Sequence, residues 1–286
     1  MTTMSVPRTI KSACCMAAAA ALVLCLPAVA RAQAPDPNPG ALTLTLNTDA
    51  PTLYVFRGLV QEADPAVTLF PSADLAIALP ASGALKSATI DLVTWHSLQT
   101  GSSASKGPSK RLHYEEDFYG SLTLGFAGGV ALSGTYSAYT SPNAMFSTVQ
   151  EVSAKLSKAG LARLNPYGLV AIEVSGQADG GASKGVYGEA GVTPAVTVGK
   201  SLAVALPVKV GTSLKNYYEM AGTDHRFGYL DIGATLSYPL AAIPARYGTY
   251  NVHAGGDYFV LGDTPKSFNA GDAHKFVALV GVGVTY

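Results

Sequence analysis

The 286-residue chain carries 19 basic and 19 acidic side chains, so its formal charge is zero; only 13% of its residues are charged, while Gly (30) and Tyr (15) are plentiful. No basic patch of the kind that tracks a phosphate backbone is present, which argues against a nucleic-acid partner. All three cysteines, Cys14, Cys15 and Cys25, precede residue 33, so the remainder has no disulfide or thiol chemistry.

The first 32 residues read as a Sec-type signal peptide. Arg8 and Lys11 form a basic start, an apolar run extends from Ala13 to Leu26, Pro27 breaks it, and Ala30-Arg31-Ala32 is a small-x-small cleavage site. The run is too short and too poorly flanked for a membrane helix. A lipoprotein anchored at Cys25 is the alternative, and the bulky Leu24 before that cysteine disfavours it. Cleavage before Gln33 leaves 254 residues, the 286 less the leader. The leader takes away Arg8, Lys11 and Arg31 but no acid, so 16 bases face 19 acids and the net charge becomes −3. Residues 33–40 form a Pro-rich spacer, and 41–286 reads as one domain with no apolar run long enough for a membrane helix.

From residue 41 onward, apolar alternation recurs in short segments divided by turn residues. Leu42, Leu44 and Leu46 alternate with Thr43, Thr45 and Asn47; Leu75, Ile77 and Leu79 with Asp74, Ala76 and Ala78; Ala88, Ile90 and Leu92 with Thr89 and Asp91. Gly120, Leu122, Leu124 and Phe126 oppose Tyr119, Ser121 and Thr123. After the hairpin signal Gly128-Gly129, Val130, Leu132 and Tyr136 oppose Ser133, Thr135 and Ser137. Seven further segments follow: 148–156, 167–174, 186–198, 202–210, 227–238, 249–260 and 273–286. The total is about twelve strands, with ten or fourteen as alternatives. The links after odd-numbered strands are long and polar, and several of the others are tight, as in an outer-membrane barrel with long outer loops and short periplasmic turns.

The last segment is the clearest. Phe276, Ala278, Val280, Val282, Val284 and Tyr286 share one face, and Val277, Leu279, Gly281, Gly283 and Thr285 the other. An apolar face ending on an aromatic ring is how such barrels close, and Phe276, Val280, Val282, Val284 and Tyr286 read as a signal to the barrel-assembly machinery. A membrane protein without spanning helices has to be a closed barrel, because lipid cannot satisfy an open backbone edge. The expected fold is therefore an all-β, transmembrane, antiparallel up-and-down barrel, exported to the outer membrane and surrounded by its lipid and lipopolysaccharide.

Alternation places Asp74, Asp91, Glu151, Lys155, Glu173, Glu189, Lys209, Asp231, His253, Asp257 and Lys275 on the lumen face. Acids exceed lysines there, which predicts a water-filled path for small polar solutes or ions with a mild preference for cations. The alternative is an interior network bracing a barrel that does not conduct, with the outer loops serving as an interaction surface. A lipid hydrolase is a third reading. It needs a serine within reach of a histidine, yet His96 and Ser97 are adjacent and on a strand point to opposite faces. No cofactor is implied, and no cluster shows the sequence spacing of a metal site. Phe56, Trp95, Phe118, Tyr139, Tyr187, Tyr217 and Phe227 near outer strand ends, and Phe126, Tyr167, Tyr238 and Tyr286 near inner ends, read as two interfacial girdles; a sugar-stacking surface is the alternative.

Tyr54-Val55-Phe56-Arg57-Gly58-Leu59-Val60-Gln61, followed by Asp64-Pro65-Ala66, resembles the opening signature of the TorF-type porins of proteobacteria. The residues carrying it are Tyr54, Phe56, Arg57, Gly58, Gln61 and Pro65. Tyr114–Tyr119 resembles the family's Glu-Asp segment, and Tyr136–Tyr139, Pro142 and Glu151 its Tyr-rich hairpin. The likeness spans residues 42–156, and the insertion at 101–110 departs from the family spacing. The resemblance implies an outer-membrane barrel of transport function and brings no catalytic residues with it. Arg57, before a flexible glycine, is placed either to clamp the first loop by a bidentate pair or to reach carboxylates at a pore mouth.

Overall fold

The computed structural model describes residues 40–62, 64–107, 109–178 and 181–286. The signal peptide and all of the spacer before Gly40 lie outside the described residues. Twelve antiparallel strands form one closed barrel: β1 (Leu42–Pro51), β2 (Thr68–Leu79), β3 (Leu85–Gln99), β4 (His113–Phe126), β5 (Val130–Thr140), β6 (Val149–Lys158), β7 (Tyr167–Ser175), β8 (Val186–Val192 continued by Ala195–Val198), β9 (Leu202–Ala205 continued by Val208–Lys215), β10 (Phe227–Pro239), β11 (Thr249–Leu261) and β12 (His274–Thr285). Each strand pairs with its sequence neighbours. β1 pairs with β12, from Thr45 opposite Thr285 to Pro51 opposite Leu279, and this seam closes the cylinder.

The seam extends to the last residue. The Leu44 N–H donates to the Tyr286 carbonyl at 2.6 Å and the Tyr286 N–H to the Leu44 carbonyl at 2.8 Å. Among the described residues, closure leaves the barrel sheet without a free edge strand, the condition for backbone in hydrocarbon. The outer surface supplies the matching apolar belt. Leu42, Leu44, Leu92, Leu122, Leu132, Val152, Leu156, Ile172, Ile232, Leu236, Val280 and Val282 are exposed, whereas Asp49, Glu115, Asp117, Glu151, Glu173, Asp231 and Asp257 on the opposite parity are buried inside. A large apolar surface of this kind is stable only against lipid, and the fold points to the outer membrane.

The structure differs from the sequence expectation mainly at strand ends. β3 and β4 run to 15 and 14 residues, so the link between them begins at Thr100 rather than at Ser97. The segment expected as one strand over 186–198 is interrupted at Thr193-Pro194, and the next at Leu206-Pro207. Proline has no N–H for the ladder. The gap is bridged from the neighbours instead: the Leu206 N–H donates to the Pro194 carbonyl at 2.9 Å and the Gly233 N–H to the Pro207 carbonyl at 2.8 Å. The links 159–166 and 240–248, long for inner turns, each hold a single 3-10 turn, Leu161–Arg163 and Ala245–Tyr247.

Candidate functional site

The first outer link folds inward instead of outward. Tyr54–Phe56 and Leu59–Glu62 pair as a hairpin joined by Arg57-Gly58. Both turn residues have positive φ, +46° and +83°, the conformation of the two-residue turn that matches strand twist. Glycine is needed second, because a Cβ there would press on the Tyr229 ring at 3.3 Å. The turn carries Arg57 into the barrel.

Arg57 makes a bidentate pair with Glu151 on β6: Nη1 to Oε1 at 2.7 Å and Nη2 to Oε2 at 2.9 Å. Nη1 also donates to the Tyr217 hydroxyl at 2.5 Å. The guanidinium lies over the Tyr187 ring, 4.1 Å from its centre. Burial opposes its charge, but Glu151 outweighs this and holds its pKa above the ordinary arginine value. The hairpin backbone is fixed as well. The Tyr218 hydroxyl donates to the Arg57 carbonyl at 3.0 Å, Asn269 Nδ2 donates to the Gly58 carbonyl at 2.8 Å, and the Val60 N–H donates to Asn269 Oδ1 at 2.9 Å. Asn269 follows the short helix α1 (Asp263–Phe268) in the last outer link.

Two apolar clusters seat the hairpin against opposite walls. Tyr54 packs on Phe70 and Trp95, with ring centres 5.1 and 5.3 Å away, and on Tyr114. Leu53 and Val55 pack against the cluster that contains Tyr187, Tyr229, Phe259 and Leu279. The Tyr114 hydroxyl donates to Gln61 Oε1 at 2.9 Å. At the hairpin's base, Glu62 accepts from the Ser103 N–H (2.7 Å), the Ser103 and Ser102 hydroxyls (2.5 and 2.9 Å) and the Asp64 N–H (2.8 Å). This stitches the first outer link to the second. Five of the six signature residues thus form or anchor an internal plug; Pro65 sits in the half-exposed return to β2.

The predicted lumen residues lie on the inner parity of their strands. Glu189 accepts from the hydroxyls of Tyr167, Tyr187 and Tyr229 at 2.7, 2.5 and 2.8 Å. Lys209 pairs with Asp231 at 3.2 Å, and Lys155 lies 4.4 Å from the centre of the Tyr167 ring. His253 Nε2 meets Asp49 Oδ1 at 2.6 Å. Glu173 accepts from the Ala178 and Gly185 N–H groups, both at 2.6 Å. Asp257 is buried facing Gly233. Lys275 pairs at the rim with Asp272 at 2.5 Å, which holds that exposed carboxyl below its ordinary pKa. Asp74 and Asp91 share the inner face below the plug, and among the described residues Asp74 Oδ1 has no hydrogen-bond partner. Toward the short-turn end the wall becomes hydroxylic, with Ser121 facing Thr135 at 2.8 Å and Thr123 facing Ser133 at 2.9 Å.

Sequence reasoning missed Asp49, Glu115 and Asp117 on this wall, and it missed Tyr217, Tyr218, Tyr229 and Asn269 as plug contacts. The acids could have been found by extending β1 and β4 outward in phase. Tyr229 could have been found the same way, two residues before Asp231 in phase on β10; Tyr217, Tyr218 and Asn269 lie in loops, where alternation carries no signal. The outer girdle needs correction. Trp95, Tyr139, Tyr187 and Tyr217 are buried in the lumen, and Phe56 packs on Tyr139 at 5.3 Å. All five fill space around the hairpin, which lipid-facing rings could not do. Phe118 and Phe227 are exposed on the outer surface, as are Phe126, Tyr238 and Tyr286 at the other end; Tyr167 points inward to Glu189. Ser97 is buried inside and donates to Gln99 at 3.1 Å, whereas His96 lies on the outer parity, so the two do not form a nucleophile pair.

No family model and no curated protein matches the chain. Solved structures similar to it are barrels. The NanC porin aligns with TM-score 0.46 and 11% identity over 84% of this chain and 98% of its own. The translocator domain of the autotransporter NalP from Neisseria meningitidis gives 0.40 and 14% over 87% and 89%. The outer membrane phospholipase A of Escherichia coli gives 0.42 and 13% over 85% and 92%. Likenesses this distant carry no activity to this chain.

Proposed function

We propose that this barrel is a non-enzymatic diffusion channel for small polar solutes or ions, with its conductance set by the hairpin folded into its outer half. The carrying observation is the contrast along the lumen. Below the plug the wall is polar, with acids such as Asp74 and Asp91 and paired hydroxyls; at the plug the Arg57–Glu151 pair ties the hairpin to the wall. An acidic wall raises the local cation concentration, so the channel prefers cations. The resemblance of residues 42–156 to TorF-type porins leans the same way.

The dense packing around Arg57 favours a second reading, a permanently plugged barrel whose outer loops bind partners. Planar-bilayer recordings separate the two. A channel gives small conductance in the natural protein, and a larger one when residues 54–62 are replaced by a short glycine-serine link. Silence in both proteins, with the barrel folded, rejects the channel.

A further inference from the structure

Near the outer end of the barrel, on the face opposite the lumen, three side chains capable of binding a metal converge. His96 on β3 and His113 and Glu116 on β4 offer ligand atoms that all lie within 4.8 Å of one another. His96 Nδ1 is 3.1 Å from His113 Nε2 and 3.8 Å from Glu116 Oε1. Register explains the meeting. His96 is directly opposite Glu116, but the pairing then slips, so that Ser97 faces Glu115 while Leu98 faces His113. The extra residue is Tyr114, whose ring turns inward to Tyr54 and whose hydroxyl binds Gln61. A bulge of this kind re-aims side chains. Without it His113 would have the parity of Glu115 and Asp117 and would point into the lumen.

We propose that His96, His113 and Glu116 form a site for a zinc-class divalent cation on the outer rim of the barrel, with one coordination position left to solvent. Two imidazoles and a carboxylate are a ligand set zinc takes when a fourth position stays open. Nitrogens about 2.0–2.1 Å from a tetrahedral ion lie about 3.3–3.4 Å apart, close to the observed 3.1 Å, and Glu116 Oε1, 3.8 Å from His96 Nδ1, is within about half an ångström of the same spacing. The support expected around a metal-binding imidazole is also present. His96 Nε2 is 3.1 Å from Thr94 Oγ1; an N–H donated there leaves the Nδ1 lone pair free for the ion and fixes the ring's orientation. Thr140 Oγ1 donates to the Glu116 carbonyl at 2.6 Å, fixing the backbone beneath the carboxylate. Phe118, two residues toward the membrane on the same face, is exposed and marks the interface. The site therefore lies about 7 Å beyond that ring, where ions reach it from water.

The test is a zinc titration of the purified, folded barrel in detergent against a chromophoric chelator. One equivalent should bind. Thr94→Val should weaken binding by about 10- to 100-fold, and His96→Asn or His113→Asn should weaken it further. His274→Asn, an exposed histidine stacked on Tyr258, should leave the affinity unchanged. Cobalt should give a four-coordinate visible spectrum that His113→Asn abolishes. Heat-modified gel migration checks folding in every variant, and Thr94→Val leaves all three ligands intact should either histidine variant not fold. No stoichiometric zinc binding, or equal affinity in the Thr94, His96 and His113 variants, would overturn the proposal.

Discussion

His253 and Asp49 are 204 residues apart in the chain, yet their side chains meet at 2.6 Å over Gly281. His253 on β11 and Asp49 on β1 are both in register with Gly281 on the intervening strand β12, where a Cβ would collide with both side chains. Gly283 repeats the arrangement one pleat away, with Asn47 and Asn251 on either side. Side chains two strands apart can touch only across a residue that has none.

Gly281→Ala should therefore break the His253–Asp49 contact and leave a buried carboxylate short of a partner. The expected loss is about 1–3 kcal/mol, read as a lower denaturant midpoint of the heat-modifiable band. Combined with His253→Ala, the two losses should be less than additive; strict additivity would show that the glycine matters for another reason.

Arg57→Ala should loosen the plug. Removing one member of a buried ion pair costs about 3–5 kcal/mol, because the other is left uncompensated, so Arg57→Ala should cost more than the double variant with Glu151→Gln. In planar bilayers the single variant should conduct more, and with more flicker, than the natural protein. Arg57→Lys cannot make the forked pair and should fall between them. Unchanged conductance in all three would uncouple the hairpin from permeation.

Glu62 gives the outer links an acid sensitivity with a definite sign. Burial would raise its pKa, but hydrogen bonds from Ser103, Asp64 and Ser102 outweigh this and lower it. A carboxyl with a depressed folded pKa adds stability above its unfolded value of about 4.3, and that stability is lost as pH falls through the folded value. Protease cleavage between Ser102 and Arg111 should therefore stay slow near pH 5 and accelerate at lower pH. In Glu62→Gln it should be fast at every pH. An unchanged cleavage profile in that variant would remove Glu62 from the account.

Val282, exposed on the outer belt, faces lipid. Val282→Lys should cost about 2–4 kcal/mol near the bilayer midplane. Val277 has the opposite parity but is buried in the cluster behind the plug, so Val277→Lys should be damaging too. A Val282 variant as stable as the natural chain would show that this face does not meet hydrocarbon.

The barrel was legible because its signal is local. Period-two alternation marks each strand by itself, and charges such as Asp74, Asp91 and Lys209 show which parity is wet. The plug was not legible in this way. Arg57 meets Glu151 and Tyr217, and its neighbours Gly58 and Val60 meet Asn269, because a loop folds inward, and no spacing rule links those positions. The aromatic assignment failed for a related reason: a ring near a strand end suits either an interface or a filled lumen, and only parity separates them. Tyr187 shares its parity with Glu189, which places it inside. The His96–His113 meeting depends on a one-residue slip at Tyr114, which no periodic pattern announces.

The seam between β1 and β12 has a kinetic consequence. Thr45 and Thr285, whose hydroxyls lie 3.3 Å apart, are separated by 240 positions. Contacts this distant in sequence are the slowest to form, because the chain between them must first be ordered. Until β12 arrives, one edge of β1 has nothing to pair with and can recruit a strand from another molecule. The paired glycines of β12 bear on that seam. Gly281 and Gly283 leave the inner face of the last strand bare, so the His253–Asp49 contact spans it and ties β1 to β11 across the strand that closes the cylinder.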